Sequence, residues 1–136
     1  MQDLTMFMAG NVLADETVKY RASKRIPADW EIKAISSDED EQLRKDCTKK
    51  VPIAGKRGQY TQETDTDKYI CQMCVACTVF PNLNDAKLQD SYGVKSADAL
   101  LKKMLKPGEY TEYKAKVMEV NGYDMSMEEL VDEAKN

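Results

Sequence analysis

The sequence predicts an α+β protein that is mostly α, with an N-terminal β-hairpin packed on a bundle of about five or six short helices. Two observations predict this class. Within residues 18–35, apolar residues alternate with polar ones at the period of a strand. From residue 36 onward they recur every three or four residues, in segments separated by proline, glycine and capping residues. A chain of 136 residues fits one domain, which we expect to span residues 18–136.

Residues 1–17 show no sustained hydrophobic period, so we expect a flexible N-terminal arm outside the globular domain. Its first part carries a group of apolar side chains. They are Leu4, Met6, Phe7 and Met8. These side chains either pack on the arm's own domain or bind a partner, and the sequence leaves both alternatives open. The four residues are our candidate partner-binding residues.

The hairpin, residues 18–35, is predicted on either side of Pro27-Ala28-Asp29, which suits a turn. The apolar positions of its two strands are Val18, Tyr20 and Ala22, then Trp30, Ile32 and Ala34. Because two strands alone are marginally stable in water, their apolar face must pack on helices.

The helical part, residues 36–136, opens with a surface helix. Ser36 and Glu39 form a capping box, and only Leu43 and Cys47 provide an apolar stripe. Residues 51–66 lack any period and are expected to form a loop. A basic cluster lies at the start of this loop and within it. It consists of Lys49, Lys50, Lys56 and Arg57. We expect these side chains to be solvated, with a phosphate or acidic-partner site as the alternative.

The centre of the bundle is predicted to be a buried helix over residues 67–80, closed by Pro81. Its apolar positions are Tyr69, Ile70, Met73, Cys74, Cys77 and Phe80. Further helices are expected after it. Two of them begin at the capping residues Asn84 and Ser96, and Pro107-Gly108 ends the second. Another is marked by Tyr110, Tyr113, Val117 and Val120, and the last begins at Ser126, which forms a capping box with Glu129.

Three cysteines lie within seven residues, in the pattern Cys71-x-x-Cys74-x-x-Cys77, and the fourth is Cys47. This spacing begins the iron-ligating run of bacterial ferredoxins. However, no further cysteine follows downstream, and the pattern lies inside the predicted central helix, where cysteine behaves as a small hydrophobe. We therefore expect core packing, no metal and no cofactor, with a four-cysteine iron–sulfur or zinc site as the alternative.

Composition excludes several functional classes. Histidine is absent, which excludes Ser-His-Asp triads, Cys-His dyads and His-ligated zinc. A net charge of −4 and a pI of about 5.0 argue against nucleic-acid binding. The longest apolar run, from Ile70 to Phe80, is too short for a membrane span. The carboxylates of residues 38–41 suit a helix N-terminus better than acid–base catalysis, so we expect no enzyme.

The most specific stretch runs from Val79 to Val94 and reads VFPNLNDAKLQDSYGV. Other distinctive stretches are residues 6–12, 18–20, 23–25, 30–35, 43–50, 100–105, 107–110 and 120–123. In these stretches the chain resembles the XkdN-like family of phage tail assembly chaperones, from tailed phages and defective prophages of Gram-positive bacteria. The resemblance covers nearly the whole chain.

The resemblance implies a non-enzymatic assembly role. Such chaperones are thought to coat the long tape-measure protein, keep its apolar helices soluble and help tail-tube subunits polymerise, so tape-measure and tail-tube proteins are the implied partners. The implied location is the cytoplasm of the bacterial host and not the mature virion. The alternatives are a structural tail-associated subunit and a small Cys-ligated iron–sulfur or zinc protein. The oligomeric state stays open, with a homo-oligomer as one alternative.

Overall fold

The computed structural model describes residues 3–123 and confirms the α+β class. In these residues, helices α1 to α5 are Ser37–Asp46, Thr66–Cys77, Ala86–Ser91, Ala97–Met104 and Pro107–Val120. Strands β1 to β5 are Val18–Tyr20, Trp30–Ile32, Thr48–Pro52, Tyr60–Thr64 and Thr78–Phe80. The helix predicted from Ser126 lies outside the described residues.

The predicted N-terminal hairpin is confirmed. β1 and β2 are antiparallel, with Val18 opposite Ile32 and Tyr20 opposite Trp30. The strands are short, three residues each, and residues 21–29 connect them. β5 joins the other edge of β2, so that β2 lies in the centre of a three-stranded sheet. A two-stranded hairpin is marginally stable alone, and pairing of β5 with β2 stabilises it by adding a third strand.

The central helix α2 ends at Cys77, and the prediction that it continues to Phe80 is wrong. The Thr78 hydroxyl donates to the Cys74 carbonyl oxygen at 2.7 Å, and the Thr78 backbone turns to an extended conformation. Residues 78–80 then pair with β2. Consecutive β-branched residues favour a strand here, and the free edge of β2 supplies backbone hydrogen bonds that a longer helix could not use.

Residues 51–66 were expected to be a loop, and this expectation is also wrong. β3 and β4 form a second hairpin, with Thr48 opposite Thr64 and Pro52 opposite Tyr60. Residues 54–63 are all exposed. Because most of this hairpin covers no core, its sequence needs no alternating apolar face, and the usual strand signal is missing.

The helix caps follow the predictions closely. The side chains of Ser36 and Ser96 accept hydrogen bonds from the backbone N–H groups three residues later. α3 departs from the prediction, because Asp85 rather than Asn84 caps it, accepting from the Leu88 N–H at 2.9 Å. The difference moves the start of the helix by one residue.

The core is one apolar cluster shared by the sheet and by helices α2, α4 and α5. Tyr113 on α5 is fully buried within it. Its ring meets the Trp30 ring edge-on at 5.0 Å between centroids and lies 6.1 Å from the Tyr20 ring. Its hydroxyl is 2.6 Å from the Thr78 hydroxyl. One side chain therefore joins all three strands to α5.

The long connection between β1 and β2 is held by Arg25. Its guanidinium donates to the Met104 carbonyl oxygen at 3.0 Å and to the Glu109 carboxylate at 2.7 Å. Glu109 also accepts from the Lys106 N–H at 2.8 Å. Hydrogen bonds from Ser23, from the Lys106 backbone and from Arg25 lower the pKa of Glu109 to about 2.

Replacing Thr78 by Val removes a hydroxyl that bridges Cys74 and Tyr113 while keeping the side-chain shape. We expect a loss of about 1–3 kcal/mol in the free energy of unfolding, because the buried Tyr113 hydroxyl loses its partner. Chemical denaturation, monitored by Trp30 fluorescence, measures this change in the free energy of unfolding. Thr61→Val, at an exposed position on β4, is the matched control and should change stability by less than about 0.5 kcal/mol. An undiminished effect of T78V in a Tyr113→Phe background would contradict the bridge.

The lowered pKa of Glu109 predicts an acid dependence of stability. The carboxylate stabilises the fold fully above its unfolded pKa near 4.5, and this contribution is lost as the pH falls toward 2. We therefore expect Glu109→Gln to lower the melting temperature at pH 7 and to have progressively less effect at lower pH. Glu112→Gln, at an exposed position of the same helix, is the control. Parallel pH profiles of wild type and E109Q would exclude this role.

Candidate partner-binding surface

The four candidate partner-binding residues of the arm lie in solvent. Leu4, Met6, Phe7 and Met8 are 75%, 73%, 79% and 58% exposed. None of them belongs to the core cluster or to the partly buried side chains packed against it. Exposed apolar side chains that lie close together typically mark interaction surfaces. Their role in binding stays a prediction, but the geometry leaves them free to bind.

The arm has local structure that presents these side chains. Leu4–Phe7 and Ala9–Asn11 are short 3₁₀ helices. The Asp3 carboxylate accepts from the Thr5 N–H at 3.0 Å, and the Asn11 side-chain amide donates to the Thr5 carbonyl oxygen at 2.7 Å. These bonds satisfy the polar backbone locally and leave the apolar side chains facing outward. The flexibility of residues 1–17 as a whole stays a prediction.

Further large apolar side chains are exposed outside the Leu4–Met8 group. They are Val12, Leu13, Tyr60, Val79 and Phe80. Val12, Leu13 and Tyr60 could have been found from the sequence, because they are apolar residues in segments without a period. Phe80 was predicted to be a core residue but is 50% exposed, because it lies on edge strand β5 rather than on α2.

The basic cluster lies on the β3–β4 hairpin. Lys49 and Lys50 are on β3, Lys56 and Arg57 are in its connection to β4, and all four are exposed. Among residues 3–123 none of them forms a salt bridge. The four cations therefore project from a ribbon that extends beyond the core.

The carboxylates near the start of α1 have structural partners. Asp38 accepts from the Ser36 hydroxyl, which lowers the pKa of Asp38. Asp40 accepts from the Tyr69 hydroxyl and lies 3.3 Å from Arg44, whose guanidinium stacks 4.5 Å from the Tyr69 ring centroid. Burial and the bond to Asp40 raise the pKa of Tyr69. These contacts fasten α1 to α2.

The four cysteines are buried free thiols. Cys71, Cys74 and Cys77 lie within α2, and the Asn121 side-chain amide donates to the Cys77 sulfur at 3.3 Å. Burial raises the pKa of the Cys47, Cys74 and Cys77 thiols. Within residues 3–123, no three Cys, Asp or Glu side chains are grouped so that they could hold a metal ion. The arrangement is that of core packing.

Comparison with known proteins decides the family. The profile of the phage XkdN-like tail assembly chaperone protein family matches residues 4–135. The chain belongs to this family. The resemblance noted in the sequence is thus confirmed, and with it a role in phage tail assembly.

Two proteins similar to this chain come from Bacillus subtilis strain 168. The uncharacterized protein YqbN is 32% identical over 142 aligned positions, which cover 98% of this chain and 93% of YqbN. The XkdN protein of the phage-like element PBSX is 28% identical over 143 positions, covering 98% and 94%. The crystal structure of YqbN matches with a TM-score of 0.75 at 25% identity, over 91% of this chain and 99% of the YqbN chain.

The described part of the chain contains no helix that is both long and apolar enough to cross a membrane.

Thiol chemistry tests the core assignment of the cysteines. We expect the native protein to react slowly with a thiol reagent such as DTNB, because all four sulfurs are buried, and to release four equivalents in denaturant. Thr61→Cys, which adds a thiol at an exposed position, is the control and should add one fast equivalent. Rapid reaction of the native wild type, or zinc co-purifying near one ion per chain, would contradict core packing.

Proposed function

We propose that this chain binds the tape-measure protein during tail assembly and keeps it soluble while tail-tube subunits polymerise around it. The exposed apolar arm carries the proposal. Four large apolar side chains are clustered within five residues and remain more than half exposed in the folded chain. In a family of tail assembly chaperones, such a surface fits a client whose own apolar helices need covering.

The physical basis is burial of apolar area. A fully buried side chain of this size contributes about 1.5–3 kcal/mol relative to its exposed state. A client helix with an apolar stripe at positions i, i+3, i+4 and i+7 offers a matching surface. Methionine at two of the four positions suits a binding surface that must adapt to several stretches of one long helix.

The proposed action takes place in the cytoplasm of the bacterial host and is not catalytic. Because the tail tube replaces the chaperone on the tape measure, the chaperone is absent from the mature virion. A structural tail subunit would differ in this respect, since it would remain in purified particles.

Co-expression with the tape-measure protein of the same phage or prophage tests the proposal. We expect the wild-type chain to keep the tape measure in the soluble fraction and to co-purify with it. Leu4→Ser with Phe7→Ser should reduce the co-purified client severalfold, because about 1.4 kcal/mol of lost binding energy is a tenfold weaker complex.

Val12→Ser with Leu13→Ser is the matched control, since it removes two similarly exposed apolar side chains of the same arm that lie outside the Leu4–Met8 group. It should leave client binding close to that of the wild type. Equal co-purification by the L4S/F7S variant would exclude the Leu4–Met8 group as the binding surface. Stoichiometric recovery of this chain from purified particles would indicate a structural subunit instead.

A further inference from the structure

The net charge of the chain is carried entirely by its last thirteen residues. Residues 1–123 contain nineteen acidic and nineteen basic side chains, whereas residues 124–136 contain five acidic side chains and one basic side chain. The acidic ones are Asp124, Glu128, Glu129, Asp132 and Glu133. Apolar residues lie among them, including Leu130 and Val131. This segment therefore combines a strong negative charge with apolar side chains.

The tip of the β3–β4 hairpin has the complementary chemistry. A concavity of about 440 Å³ is lined by Pro52, Ile53, Lys56, Arg57 and Tyr60, together with Gly55, Gly58 and Gln59. The Tyr60 side chain is 62% exposed, and the two cations have no salt-bridge partner among residues 3–123. The concavity thus offers positive charge beside exposed apolar surface, and nothing in the described part of the chain fills it.

The acidic segment begins beside the start of α1, at the opposite end of that helix from the hairpin. Tyr123 lines a small cavity together with Ser36 and Asp40 at the start of α1, and α1 leads at Cys47 directly into β3. The path along the rest of α1 and along β3 is roughly 25–30 Å at 1.5 Å per helical and 3.3 Å per strand residue. Thirteen residues span up to about 45 Å when extended, so the segment is long enough to reach the tip.

We propose that residues 124–136 dock on the hairpin concavity of the same chain. Their carboxylates pair with Lys56 and Arg57, and their apolar side chains cover Ile53 and Tyr60. A two-stranded hairpin that is exposed over most of its length is marginally stable alone, and this contact stabilises its distal half. The inference does not depend on which client the chaperone binds.

Paramagnetic broadening in the full-length chain tests the contact. A nitroxide is attached at Asn136→Cys, and the native thiols are buried, so a sample without N136C treated with the same reagent is the labelling control. We expect the amide signals of residues 55–58 to lose intensity when the label is oxidised. Raising the salt concentration to 1 M, where the Debye length is about 3 Å, should restore much of that intensity.

Charge exchange locates the contact. Lys56→Glu with Arg57→Glu should abolish the broadening, and adding Asp132→Lys with Glu133→Lys, which lie far enough along the segment to reach the tip, should restore it. Lys102→Glu with Lys103→Glu, which makes the same charge change at exposed positions on α4, is the matched control and should preserve the broadening. An effect of K102E/K103E equal to that of K56E/R57E would overturn the proposed site.

Two further results would overturn the proposal. One is the absence of broadening at residues 55–58 in the wild-type background. The other is broadening of the same strength in a mixture of nitroxide-labelled chains at natural isotopic abundance with unlabelled ¹⁵N chains. Such a signal would make a second copy the occupant rather than the same chain.

Discussion

Burial of Tyr113 is the constraint on which the rest of this fold depends. The three strands of the main sheet have three residues each, too few to be stable without a surface beneath them. The Tyr113 ring contacts Trp30 and Tyr20 on the two hairpin strands, and its hydroxyl reaches Thr78 at the start of β5. Tyr113 therefore couples the stability of the sheet to that of α5, and α2 ends where Thr78 joins the sheet.

The sequence predicts the elements that bury an apolar face. The N-terminal hairpin and helices α2, α4 and α5 all show a clear period, and the serine caps of α1 and α4 are where the pattern places them. β5 was missed because Phe80 continues the helical spacing of α2, and only the free edge of β2 turns this segment into a strand. β3 and β4 were missed for the opposite reason. They cover almost no core, so no hydrophobic pattern distinguishes them from a loop.

The sequence shows the candidate site only as a group of apolar residues and does not show whether they are exposed. Four apolar residues in a segment without a period indicate either an internal contact or a binding surface, and local sequence cannot separate the two because the difference lies in tertiary packing. Their exposure in the folded chain is what favours binding. The cysteines are ambiguous in a similar way. A spacing of three residues on a helix fits both a set of metal ligands and a row of small core residues. Burial of all four thiols, with no metal-binding group in the described residues, favours the stripe.

The size of the arm has a consequence for how a chaperone of this kind would work. Four apolar side chains contribute at most about 6–12 kcal/mol when fully buried, and association in solution costs about 4–15 kcal/mol in lost freedom. One arm on one client segment therefore binds weakly. Under the proposed function the client is long, however, so many chaperone molecules bind it side by side, each with its own arm. Weak contacts repeated along the client would keep it covered, and an arriving tube subunit could displace them one at a time. A few tight contacts would resist such displacement.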